Sequence, residues 1–318
     1  MGTLDGLLVV SLEQAVAAPF VSSRLADAGA RVIKIERVEG DFARNYDDVV
    51  QGHSAYFVWL NRGKESIAMD LRQPSELRLL KSMLVKSDIL IENFKTGSLQ
   101  KIGLDLTEIR KENPKLITCS ISGYGSQGKW AEMKAYDLLI QAETAIASLT
   151  GSADEPGRVG VSIADIAAGM YSHSAVLEAL IARGINGYGR HIEVSLFDAL
   201  ADWMAVPLLW QDYGGKAPKR LGLAHPSICP YGAFKTADGK IILISIQNER
   251  EWKRFCTDIL EDSDYSAKFP DNQTRVKNRK EVDDFVDRVI SRMLHKEAAA
   301  RMKKSEIAFG TLNSVQDF

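Results

Sequence analysis

Cysteine is scarce in this chain of 318 residues: Cys119, Cys229 and Cys256 are the only three. They are far apart, odd in number and without a CxxC pair, which argues against a disulfide framework and a structural zinc site. A reducing cytoplasm is the expected compartment. The five histidines, His53, His173, His191, His225 and His295, are dispersed and make no metal-ligand spacing, so no metal is expected. Charge of one sign is also missing. A net charge of -2 supplies no bulk basic field, so neither nucleic acid nor an anionic membrane is an expected partner. No apolar run approaches the length of a membrane span. The opening "MGTLDGLLVVSLEQ" lacks the basic start and long apolar core of a secretory signal, and it has no Ser or Thr at the sixth position for myristoylation. HExxH, P-loop and GxSxG signatures are absent.

What is present is an ordinary globular balance, 45% hydrophobic and 26% charged, at a length that suggests about two domains. The first half alternates short β-rich runs with helical stretches. "LLVVSL" (7–12), "RVIKIE" (31–36), "SIAMDL" (66–71), "DILIENF" (88–94) and "LITCSISGYG" (116–125) read as strands. The segments between them read as helices, the first ending at Gly29. Continuous apolar strands between helices predict a doubly wound parallel sheet, a Rossmann-like large domain over residues 1–225. A helical stretch from 134, a long helix over 162–182, a strand at 189–197 and a helix "DALADWMAVPLLWQ" follow. From 226 the texture changes to a hairpin turning at Asp238-Gly239 and charge-rich helices, a smaller α+β domain over 226–318.

Ligands on such sheets bind at the carboxyl ends of the strands. The first strand-to-helix turn, "SLEQAVAAPF", has no GxGxxG, and Pro19 opens its helix, which argues against a conventional NAD enzyme. Arg37, Arg72, Asn93 and Phe94 sit at strand ends, with Lys101 just beyond. Two arginines and a lysine suit phosphate oxygens, and an aromatic suits stacking on a purine. In "GVSIADIAAGMYSHSAVLEAL", Asp165 allows two readings. Ser162 and Asp165 fit the S-x-x-D capping box. A carboxylate at a helix N-terminus is also kept ionised by the helix dipole, as a nucleophile needs. The face carrying Asp165, Ala168, Gly169, Ser172 and Ala179 is small enough for another chain or a ligand to come close.

Taken together, "AAPFVSSRLADAGARVIKIE", "NRGKESIAMDL", "DILIENFKTGSLQKIGL", "LITCSISGYG", "KAYDLLIQAETAIASLTG", "ADIAAGMYSHSAVLEAL" and "YGAFKTADG" resemble the class III CoA-transferases, the CaiB/BaiF family that includes formyl-CoA transferase and the carnitine enzyme. The resemblance runs over essentially the whole chain. It implies a transfer of CoA from an acyl-CoA to a carboxylic acid, with Asp165 as nucleophile and an interlocked homodimer. CoA or acyl-CoA would be substrate, with no tightly bound cofactor. The CoA site it implies comprises Val16, Ala17, Arg37, Met69, Arg72, Asn93, Phe94, Lys95, Lys101, Lys134 and Tyr136. Arg44, His53 and His225 are candidate substrate contacts, and a small dicarboxylate such as succinate, mesaconate or itaconate is the expected partner. Members of the family normally continue past the position of Phe318 with a segment that returns to the large domain, so a shortened small domain is expected. The stretch "RLGLAHPSICPYG" also departs from the glycine-rich loop of formyl-CoA transferase. Related α-methylacyl-CoA racemases carry a catalytic histidine where "KAYD" has Tyr136, and a neutral phenol is a poor base near pH 7. A racemase and an inactive CoA-binding protein are the alternatives.

Overall fold

A computed structural model describes residues 2–318. The chain divides into two compact units, one of residues 1–150 and 157–217, the other of 151–156 and 218–318.

The first unit runs β1 (Leu8–Leu12), α1 (Ala17–Asp27), β2 (Arg31–Glu36), α2 (Ala55–Asn61), β3 (Lys64–Ala68), α3 (Pro74–Leu84), β4 (Ile89–Glu92), α4 (Ser98–Lys101) and α5 (Leu106–Glu112). It continues through β5 (Ile117–Ser122), α6 (Asp137–Glu143), α7 (Ile146–Leu149), α8 (Ile163–Asn186), β6 (His191–Ser195), α9 (Leu196–Ala201) and α10 (Ala205–Gly214). The six strands are parallel in the order β3-β2-β1-β4-β5-β6. This is the doubly wound order, whose reversal at β1/β4 opens a crevice at the carboxyl edge.

Burial on both faces explains the near-continuous apolar strands. Because side chains alternate, Val9, Ile91 and Cys119 join a core with α1 and α8, while Val10, Leu90 and Ile35 join one with α3 and α5. β3 lies two residues earlier than the sequence suggests. Its residues are mostly exposed at the sheet edge, whereas the apolar Met69 that drew the prediction forward lies beyond the strand and is buried. The helix expected over 162–182 extends to Asn186 and stops at Gly187, whose φ of 83° closes it in the left-handed conformation. The helix expected from "DALADWMAVPLLWQ" is instead broken by a 3-10 turn at Asp202–Met204. Pro207 has no N–H to donate to the carbonyl of Trp203, so the ladder fails there.

The second unit holds β7 (Tyr231–Lys235), β8 (Ile241–Ser245), α11 (Glu249–Asp258), α12 (Tyr265–Lys268), α13 (Asn272–Lys277), α14 (Arg279–Ile290), α15 (His295–Lys304) and β9 (Ala308–Thr311). The expected hairpin is present, with Gly239 at a φ of 79°. β9, which the sequence reading missed, pairs antiparallel with β8 to complete a three-stranded sheet. The long charged helical tract splits between Ile290 and His295, where the Asp238 carboxylate accepts the His295 N–H at 3.0 Å.

Candidate active site

The turn from β1 to α1 has to do without glycine. Ala15 adopts a φ of 62°, a conformation that costs an L-residue about 1–2 kcal/mol. Side chains from distant strands hold it there. Asn93, just past β4, accepts the Gln14 N–H at 3.0 Å and donates its amide to the Gln14 carbonyl at 2.8 Å. Asp41 accepts the Ala15 N–H at 3.1 Å. Behind the turn lies a buried charge network. Lys34 Nζ donates to Asp41 at 2.7 Å, and Lys64 Nζ donates to Glu13 at 2.7 Å and to the Pro19 carbonyl at 3.0 Å. Ser22 donates to the second oxygen of Glu13. Glu36 joins through the Asp41 N–H and a bidentate pair with Arg44 at 2.9 and 2.7 Å. Burial alone would raise the Glu36 carboxyl, but Arg44, Ser66 and the Asp41 N–H bring it down to about 2. Glu13, Glu36 and Asp41 thus face Lys34, Lys64 and Arg44, so each buried charge has a counterpart.

Above this turn opens a cavity of about 490 Å³, lined by Val16, Ala17, Asn93, Tyr136 and Asp165 together with Tyr46, Tyr56, Asp137 and Arg158. Asp165 reaches it from the first turn of α8. The capping box expected here does not form. Ser162 occupies the N-cap position, but its side chain makes no capping bond. The cap comes from α6 instead: Asp137 accepts the Ala164 N–H at 2.8 Å, and its other oxygen accepts from the Gln141 amide at 2.8 Å. That leaves the Asp165 carboxylate without a hydrogen bond from the described residues.

Asp165 is half-buried. Burial first, and the neighbouring Asp137 charge second, push its carboxyl from 3.8 up to about 7. This corrects the expectation that the helix N-terminus keeps it fully ionised: desolvation outweighs the dipole, which is worth about 0.3–1 kcal/mol at an exposed site. Burial and the charge of Asp165 also push the Tyr46 phenol up to about 12, so it remains a neutral donor at the cavity wall. The small face of α8 is likewise not ligand space. A Cβ on Gly169 would meet Phe20 Cδ1 at 2.9 Å and the Ala17 carbonyl oxygen at 3.1 Å. The small residues let α1 approach, which sets Val16 and Ala17 beside Asp165.

A second cavity, of about 630 Å³, is lined by Arg37, Met69, Arg72, Phe94 and Lys95. Gln14 lines both cavities and accepts from the Arg37 guanidinium at 2.8 Å. Arg72 pairs with Asp70 at 2.8 Å on an open surface, and Lys95 with Glu132. Nine of the expected positions besides Asp165 thus fall on these two adjoining cavities, while the others do not line them. Lys101 is exposed at the end of α4, and Lys134 is exposed before α6. Arg44 is taken up by Glu36 and lies 3.7 Å from the centre of the Phe57 ring. His53 is exposed in a tight backbone bridge with Val50. His225 lies in the second unit, stacked on Tyr231 at 5.2 Å, and burial then Arg279 lower its pKa.

Sequence reasoning missed Asp137, Gln141 and Arg158. The i,i+4 spacing of the first two on α6 was the available signal. It also missed a G-x-G-x-x-G spacing at 123–128. That run follows β5 but leads into turns, with α6 beginning only at Asp137, so it lacks the helix N-terminus such a fingerprint needs.

Residues 4–318 match CoA-transferase family III. The chain is 35% identical to the succinate–glutarate CoA-transferase of Agrobacterium fabrum, over 99% of this chain and 81% of that protein. It is also 35% identical to the acetyl-CoA:oxalate CoA-transferase of Acetobacter aceti, over 99% of this chain and 82% of the relative. Among solved structures, a CaiB/BaiF family protein from Brucella suis superimposes with a TM-score of 0.86 at 38% identity, covering 99% of this chain and 85% of that one. The chain therefore belongs to CoA-transferase family III, the CaiB/BaiF family, and is an enzyme of the acyl-CoA:carboxylate CoA-transferase type.

Proposed function

We propose that the enzyme moves CoA from an acyl-CoA to a small dicarboxylic acid, with Asp165 as the nucleophile. The observation that carries this reading is the Asp165 carboxylate, free of hydrogen bonds and held at about 7 in a cavity that adjoins the arginine-lined one. Once ionised, a poorly solvated carboxylate of that basicity is a stronger nucleophile than an ordinary aspartate. It attacks the donor thioester, forming a mixed anhydride and releasing CoA thiolate. The thiolate attacks the aspartyl carbonyl, expels the donor acid and leaves an aspartyl-CoA thioester. The acceptor carboxylate attacks that carbonyl, giving a second anhydride and thiolate. The thiolate then attacks the acceptor acyl carbonyl, producing the new acyl-CoA and restoring Asp165. The thioester energy stays in covalent bonds throughout.

CoA would lie over Arg37, Met69, Arg72, Phe94 and Lys95, with its thioester end passing Asn93 and Gln14 to Val16, Ala17, Tyr136 and Asp165. Dicarboxylates are favoured because both curated relatives described above are named for them: succinate, glutarate and oxalate. A second copy of the chain would cover α10, which buries no residue of its own and exposes Val206, Leu208, Leu209 and Tyr213. The three thiols are unpaired and buried, which supports a reducing, cytoplasmic setting.

The test is incubation with succinyl-CoA and a panel of glutarate, oxalate, mesaconate, itaconate and acetate, following new CoA esters by mass. Hydroxylamine added during turnover should convert Asp165 to its hydroxamate. No new ester from any acid and an unmodified Asp165 would overturn the proposal.

A further inference from the structure

An acceptor with two carboxylates brings two negative charges into a cavity that already holds Asp165 and Asp137. The lining offers one cation in return, Arg158, from the loop that leads into α8. Its Nε donates to the Val159 carbonyl at 3.1 Å, and its terminal nitrogens have no partner among the described residues. The loop is a built feature. The Val159 N–H donates to Gln141 Oε1 at 2.8 Å, and Gln141 is fully buried. Gln141 in turn donates to Asp137, which caps the start of α8. One pair of side chains on α6 thus holds both the backbone next to Arg158 and the helix turn that carries Asp165.

We propose that Arg158 binds the remote carboxylate of the acceptor acid and is the residue that selects dicarboxylates; this rests on the transferase reading above. The reacting carboxylate has to keep its electron pair for the aspartyl carbonyl, and a guanidinium fork clamped on it would weaken its attack. The fork therefore serves the other end of the acid. Because the backbone beside Arg158 and the helix turn that carries Asp165 are held by the same two residues of α6, the site gauges the separation between two carboxylates.

The test compares glutarate with valerate, a monocarboxylate of the same carbon number, at saturating succinyl-CoA in the wild type, Arg158→Gln and Arg158→Lys. In Arg158→Gln the KM for glutarate should rise about tenfold, the scale of a lost charge-assisted hydrogen bond, with kcat nearly kept and valerate unaffected. Arg158→Lys, which keeps the charge but not the fork, should fall between. CoA affinity, measured by titration, should be the same in all three proteins. Equal losses with both acids, an unchanged KM for glutarate, or a parallel loss of CoA affinity would overturn the assignment. A wild type that forms no CoA ester from any acid would overturn the transferase reading itself, whereas a glutarate KM unchanged in Arg158→Gln would overturn only the role of Arg158.

Discussion

Replacing Asp165 with asparagine should stabilise the protein, and by an amount that depends on pH. The carboxyl sits at about 7 in the folded chain against an ordinary 3.8, a gap that corresponds to about 4 kcal/mol of destabilisation once both states are ionised. The sign follows from proton uptake. Below 3.8 the group is protonated in both states and costs nothing. Between 3.8 and about 7 the folded state holds the extra proton, so the wild type loses stability as pH rises, and above about 7 the loss is complete. The side chain keeps partial contact with water, so 4 kcal/mol is a ceiling. Asparagine does not titrate. Its advantage over the wild type should grow from about 2 kcal/mol at pH 5 to about 4 kcal/mol at pH 8 at most. For a unit of this size that is an increase in the Tm difference of about 5–10 °C across the range. Differential scanning calorimetry of both proteins from pH 5 to 8.5 reads it directly. An advantage of the same size at every pH would refute the desolvated carboxylate, because a packing effect does not titrate.

Asp137→Asn keeps the acceptor for the Ala164 N–H but removes the like charge beside Asp165. The acid limb of kcat/KM for acyl-CoA, expected near pH 7 in the wild type, should move to lower pH; an unmoved limb would show that Asp137 does not influence the nucleophile. Lys64→Met leaves Glu13 with Lys34 at 3.8 Å and strips the donor from the Pro19 carbonyl. It should cost about 3–5 kcal/mol in urea denaturation and lower CoA affinity with it; a loss under 1 kcal/mol would mean the network is not needed.

The parallel sheet was readable because strands buried on both faces are written as unbroken apolar runs, and "RVIKIE" falls on β2 at both ends. That same strand hid the most informative residue. A lysine in the middle of a buried strand is improbable unless partnered, yet its partners Glu13, Asp41 and Asn61 come from three other segments. Asp165 was legible as a carboxylate in a first helical turn, but both consequences drawn from that position fail, because the cap comes from α6 and burial, with the Asp137 charge second, outweighs the dipole. The small face of α8 was legible as a close approach, with no local signal to say that α1 is what approaches. β9 was invisible because "AFGT" becomes a strand only by pairing with β8.

The glycine-free turn at Ala15 has a consequence for how the molecule matures. A glycine-rich loop can reach its shape from its own residues. Here the shape is imposed by residues 41 and 93, which arrive only when β1, β2 and β4 have already aligned. The turn therefore depends on the sheet around it, and a chain in which β1, β2 and β4 are not aligned lacks the bonds that hold Ala15 in its conformation.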